Sequence, residues 1–164
     1  MKVQFELNGR LVSATHLPGT TLMEFLRGEE FYSVKHGCDH GECGACTVLM
    51  DSRSVNACLI LMHTVNGRKI ETLESFSTHE RLHPLQENFL KEGAAQCGFC
   101  TPGMILSLEA LDRESGEIDE VQVRDALNGN LCRCTGYVKP VKAALSTLKA
   151  SRKTGNHEDE GGDS

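Results

Sequence analysis

Eight cysteines in 164 residues, arranged as two groups of four, constrain this chain more than any other feature. The first group is Cys38, Cys43, Cys46 and Cys58; the second is Cys97, Cys100, Cys132 and Cys134. Each half of a chain this long approaches the size at which a hydrophobic core alone becomes marginal. Aromatic residues make up only 5% of the sequence, with no Trp, so large core anchors are scarce. Bound metal is one way for such halves to gain the missing stability. The opening Lys2-Val3-Gln4-Phe5-Glu6-Leu7 alternates polar and apolar, with neither the apolar core of a signal peptide nor a twin arginine. Without an export signal, eight cysteines read as metal ligands rather than disulfides, and the expected compartment is the cytoplasm. No apolar run approaches the roughly 20 residues that span a bilayer. The net charge of -6 argues against a general nucleic-acid binder, and much of it sits at Glu158, Asp159, Glu160 and Asp163.

The spacing of the first group is C-x4-C-x2-C with a fourth cysteine twelve positions on, and its leading part is the pattern of plant-type [2Fe–2S] proteins. Its loop carries Gly37, Gly41 and Gly44, which allow close backbone approach to a cluster and let amide N–H groups point at sulfur. The second group places Cys97 and Cys100 before one expected helix and Cys132 and Cys134 before another. A helix N-terminus after Cys100 favours negative charge on thiolate and cluster. Thiolates also suit zinc, so two four-cysteine zinc sites stand as the alternative. His36 and His40 flank the first group, as histidines do in a Rieske centre, but four cysteines complete the ligand count without them. His63, His79 and His83 lack ligand spacing and read as structural. Arg133, between two ligands, reads as a solvated side chain or a partner to cluster charge. No phosphate-binding glycine loop or Ser-His-Asp set appears, so catalysis by this chain alone is not expected.

The polypeptide between the cysteines divides by period. Val3–Leu7 and Arg10–Thr15 flank Asn8-Gly9, a hairpin signal. Thr20–Arg27 has Leu22, Phe25 and Leu26 at helical spacing, with Thr20 or Thr21 as a cap. Thr47–Met50, Val55–Leu61 and Lys69–Leu73 read as strands, the last two joined through Asn66-Gly67. From about Glu80 the period is helical: a first helix through Leu82, Leu85, Phe89 and Leu90, a second opened by Thr101-Pro102, a third capped by Asp119 and Gln122, and a fourth over Val138–Leu148. A strand-rich half followed by four helices predicts an α+β chain of two domains, residues 1–76 and 77–150, with a disordered acidic tail at 151–164.

Three motifs together resemble the small iron–sulfur subunit of the molybdenum hydroxylases, the xanthine dehydrogenase and aldehyde oxidoreductase family. They are Cys38 to Cys46, Gln96-Cys97-Gly98-Phe99-Cys100-Thr101-Pro102-Gly103, and Gly129-Asn130-Leu131-Cys132-Arg133-Cys134-Thr135-Gly136-Tyr137. The resemblance spans roughly Val3 to Leu148. It implies a ferredoxin-like β-grasp domain holding one [2Fe–2S] cluster on Cys38, Cys43, Cys46 and Cys58. A four-helix domain would then hold a second on Cys97, Cys100, Cys132 and Cys134. It further implies molybdopterin on a large partner subunit and FAD on a medium one, with the second cluster nearer molybdenum and the first facing the flavin. Gln96 matches the residue that hydrogen-bonds the pterin, and Cys134 matches the ligand closest to it. A free-standing two-cluster carrier is the other redox reading, and the zinc-stabilised interaction module is the non-redox one.

Overall fold

The computed structural model describes residues 1–155 apart from 79, 115 and 117. Strands β1 (Lys2–Leu7) and β2 (Arg10–Thr15) pair antiparallel through Asn8 and Gly9, both at positive φ, the geometry that Asn-Gly favours in a primed turn. Strands β3 (Thr47–Met50), β4 (Arg53–Asn56) and β5 (Lys69–Glu71) complete a five-stranded mixed sheet in the order β2-β1-β5-β3-β4. Helix α1 (Leu22–Gly28) is capped by Thr21, whose hydroxyl accepts from the Glu24 N–H while the Glu24 carboxylate accepts from Thr21. It buries Leu22, Met23 and Leu26 with Phe5, Val48 and Ile70 of the sheet. This is the β-grasp arrangement.

Two strand expectations are corrected. The run Val55–Leu61 leaves the sheet after Asn56 and becomes a 3₁₀ turn at Ala57–Leu59. The chain then crosses to α1, where the Leu22 N–H donates to the Ile60 carbonyl and the Met62 N–H to that of Thr20. Asn66-Gly67 therefore does not join neighbouring strands: the Gly67 N–H reaches the Gln4 carbonyl, and β5 enters parallel to β1 and antiparallel to β3. The turn between β3 and β4 is made instead by Asp51 and Ser52, both at positive φ. The Asp51 carboxylate accepts from the Lys69 N–H and the Arg68 guanidinium; the Lys69 bond chiefly holds its carboxyl below the ordinary value.

Four helices follow: α2 (Pro84–Lys91), α3 (Thr101–Glu114), α4 (Glu120–Leu127) and α5 (Val138–Gly155). The first begins at Pro84 rather than near Glu80, because His83 caps it in a reciprocal pair with Gln86; Leu82 stays outside. Asp119 and Gln122 form the expected capping box of α4. Helix α5 runs five residues into the segment assigned to the tail; residues 156–164 and His79 lie outside the described residues. Leu85, Phe89, Met104, Leu108, Val123, Leu127 and Ala144 form the helical core. The two cores meet where α3 lies on β3, through Leu49, Leu106 and Ala110 with Leu73 and Phe76. Arg113 of α3 clamps that junction with paired bonds of 2.6 and 2.9 Å to Glu71 and one of 2.9 Å to Glu109. Among the described residues no helix is long and apolar enough to cross a membrane.

Candidate metal centres

The cysteines of the first group lie where strand signals fail. Cys38 and Cys43 sit on the loop before β3, in which Asp39, Gly41 and Gly44 take positive φ and fold the backbone back on itself. Cys46 ends that loop, and the 3₁₀ turn after β4 brings Cys58 to it: the Ala57 N–H donates to the Cys46 carbonyl, and the two thiols lie close enough for Cys58 to disfavour ionisation of Cys46. Cys38 and Cys43 form a second such thiol pair. Cys46 and Cys58 are buried, whereas Cys38 and Cys43 are half-buried nearer the surface.

The second group repeats this scheme with helices. Cys97 and Cys100 lie between α2 and α3, and the Cys100 carbonyl accepts the Met104 N–H at the start of α3. Cys132 and Cys134 lie between α4 and α5. Cys100 is buried against Cys132, and Cys97 and Cys134 form an exposed pair with sulfurs 3.7 Å apart. Tyr137, held at positive φ, secures the loop: its hydroxyl accepts from the Cys132 N–H at 2.8 Å and donates to the Asn130 carbonyl at 3.1 Å. The cysteines of each set thus lie as two pairs of thiols, and among the described residues no three ligating side chains converge on a single-ion site.

Pairs of thiols suit a binuclear cluster, in which each iron takes two cysteine sulfurs. Backbone donors point at these sulfurs, including the His40 N–H on Cys38 at 3.5 Å and the Thr135 N–H on Cys132 at 3.4 Å. A Cβ at Gly37 would fall 2.7 Å from the Cys43 sulfur, so glycine keeps that space open. At Gly44 a Cβ would fall 2.1 Å from the Gly129 carbonyl of the helical domain, so this glycine also serves the contact between domains.

The thiols are electrostatically unequal. Amide bonds, foremost from His40, pull the Cys38 thiol down to about 6. At Cys132 burial opposes ionisation, but the hydroxyl and N–H of Thr135 outweigh it and lower the thiol's pKa. Burial pushes Cys46 and Cys100 up to about 12 and also raises Cys43, while the neighbouring Cys97 thiol raises Cys134. Burial therefore opposes ionisation at Cys46 and Cys100, a bound cation would offset it, and loading the sites would release protons. His36 is exposed and bonded to Asp39 at 2.6 Å, and His40 bonds the Cys38 carbonyl. Gln96 is exposed beside Cys97, beyond the end of α2, and Arg133 is exposed.

The sequence reading assigned no role to Asn130 or Thr47, which join the two groups. The Leu131 N–H donates to the Cys43 carbonyl at 2.9 Å, and the Asn130 carboxamide donates to the Gly44 carbonyl at 3.0 Å and to Thr47 Oγ1 at 3.3 Å. These partners are more than 80 residues apart, and no local pattern could announce them.

Comparison with known proteins agrees with both halves of this geometry. The 2Fe-2S iron-sulfur cluster binding domain family matches residues 5–72, and the [2Fe-2S] binding domain family matches residues 72–145. The xanthine dehydrogenase iron-sulfur-binding subunit of Escherichia coli O157:H7 is 42% identical over 149 residues, covering 90% of this chain and 94% of that one. This chain belongs to the iron–sulfur subunits of the molybdenum hydroxylases. In another relative of these iron–sulfur subunits, subunit beta of the 6-hydroxypseudooxynicotine dehydrogenase complex of Paenarthrobacter nicotinovorans, identity is 41% over 90% of this chain and 93% of that one. The crystal structure of quinoline 2-oxidoreductase from Pseudomonas putida 86 contains a chain of the same fold, with a TM-score of 0.85 and 35% identity, covering 93% of this chain and 96% of that one. Membership of this iron–sulfur family makes the chain an electron-transfer subunit of an oxidoreductase with two [2Fe–2S] domains, and decides against the zinc module.

Proposed function

We propose that the chain carries single electrons from a molybdopterin centre on a large partner subunit, through its second cluster and then its first, towards FAD on a medium subunit. The observation that carries this reading is the direct hydrogen-bonded contact, Leu131 N–H to the Cys43 carbonyl and the Asn130 carboxamide to the Gly44 carbonyl, between the loops that carry the two sets of cysteines within one chain. A [2Fe–2S] cluster supplies one-electron exchange, whereas substrate and flavin chemistry moves two electrons. The chain's own residues fix where that exchange happens. Cys38 and Cys43 would hold one iron of the first cluster and Cys46 and Cys58 the other. Cys97 with Cys134, and Cys100 with Cys132, would hold the second. The exposed edge formed by Gln96, Cys97 and Cys134 suits contact with the pterin of the large subunit. No substrate site is assigned to this chain. The same reading sets the boundary between the two domains at 76/77, carries the second domain to the end of α5 at Gly155, and puts the complex in the cytoplasm.

The test is metal analysis of the anaerobically purified complex with electron paramagnetic resonance after reduction. About four irons per copy of this chain, two distinct reduced-cluster signals, and a co-purifying molybdenum subunit are expected. A chain that purifies with its irons but no molybdenum-containing partner would instead be a free-standing carrier.

A further inference from the structure

Where the two thiol groups meet, three stretches of backbone converge on one buried carboxamide. Asn130 is 2% exposed. Its Nδ2 lies 3.0 Å from the Gly44 carbonyl and 3.3 Å from Thr47 Oγ1, and Thr47 itself donates to the same carbonyl at 2.7 Å. The packing leaves no room for a side chain. A Cβ at Gly103, on the first turn of α3, would fall 2.4 Å from the Gly44 carbonyl and 3.0 Å from Asn130 Nδ2, and one at Gly44 would fall 2.6 Å from Nδ2. One residue along on each strand of this contact, the Leu131 N–H donates to the Cys43 carbonyl at 2.9 Å. Cys43 belongs to the first thiol group, and Leu131 is bonded to Cys132 of the second. A single hydrogen bond therefore separates the backbone of one ligand from the residue next to the other.

We propose that Asn130 is a positioning residue: its carboxamide fixes the Leu131–Cys43 hydrogen bond and so sets the coupling between the two cluster sites. Two adjacent bonds, Asn130 to Gly44 and Leu131 to Cys43, define register as well as distance, which one bond alone would not. Oδ1 of Asn130 meets no protein donor among the described residues, and Asn130 lines a cavity of about 150 Å³ with Ser54, Asn56 and Ser107. A buried carbonyl oxygen beside a polar cavity of this size is a place where an ordered water would supply the missing donor. The coupling acts on transfer of one electron, which leaves one site and arrives at the other with no bond or proton changed in the bridge.

The coupling half of this inference rests on the function proposed above, and the experiment separates the two. The whole complex is prepared with the native chain and with Asn130→Ala, Asn130→Asp and Thr47→Val. Iron content is measured, then hydrogen exchange at the Leu131 amide, then the spin–spin splitting between the two reduced clusters. With iron retained, the Asn130 variants should exchange the Leu131 amide about 10- to 100-fold faster, the range given by loss of a buried hydrogen bond, and should lose or change the splitting. Thr47→Val, which keeps the carboxamide bond to Gly44, should show a smaller change in both. Unchanged exchange and splitting in the Asn130 variants would overturn the proposal. A native chain without iron would overturn the functional reading and the coupling, while the exchange rates would still decide whether Asn130 fixes the bridge.

Discussion

The two metal sites hold the same kind of donor but are assembled differently. In the first, Cys38, Cys43 and Cys46 share one loop whose positive-φ turns gather them locally, and only Cys58 arrives from elsewhere. In the second, Cys97 and Cys100 meet Cys132 and Cys134 only because α2, α3, α4 and α5 pack around Phe89, Met104 and Leu108. The first site is thus chiefly a product of loop geometry and the second of a hydrophobic core. Their outer pairs differ as well. Cys38 and Cys43 are half-covered by their own loop, while Cys97 and Cys134 lie exposed. Burial at Cys46 and Cys100 has the same consequence in both places, since it raises the pKa of each inner thiol.

The largest expected effect tests whether the sites are independent. Cys46→Ser should abolish the first cluster and Cys100→Ser the second, each leaving about half the iron and one of the two paramagnetic signals. Loss of both clusters from either variant would mean that the contact at Asn130 makes them one cooperative unit.

A second comparison tests loop against core. Phe5 and Phe89 are each 1% exposed, one in each core, and truncating a buried Phe to Ala costs about 3–5 kcal/mol. Phe89→Ala should release iron from the second site before the first during denaturant titration. Phe5→Ala, at similar cost, should leave the three-cysteine loop able to retain its iron longer than the second site does in Phe89→Ala. The same order of iron loss in both variants would erase the distinction.

The smallest effect sharpens it. Tyr137→Phe removes the hydroxyl that bridges the Cys132 N–H and the Asn130 carbonyl, and should destabilise the helical domain by about 1–3 kcal/mol. Its measurable mark is a shifted midpoint potential for the second cluster with the first unchanged, read by redox titration.

Several elements were legible because their causes are local. Asn8-Gly9, the Thr21–Glu24 and Asp119–Gln122 caps, and the Thr101-Pro102 helix start each depend on residues within a turn of one another. The failures share the opposite property. Val55–Leu61 has strand-like residues, yet Cys58 must turn inward to meet Cys46, and the chain follows the ligand rather than the sheet. Asn66-Gly67 signals a hairpin, but the neighbours of β5 are β3 and, more than sixty residues earlier, β1, and no local rule selects them. Gly44 read only as part of the first site's loop, and its missing side chain also makes room for the backbone of the second domain.

By itself the sequence determined the division of the cysteines into two groups, the α+β character and the family, and it named the candidate ligands, because each follows from residue type and short spacing. Only the tertiary structure decided which thiols pair, which pair faces outward, and how the two sites touch through Asn130, Leu131 and Cys43. Those relations depend on groups brought together from distant parts of the chain. Their geometry is set by packing and hydrogen bonding across the fold, which no window of neighbouring residues contains.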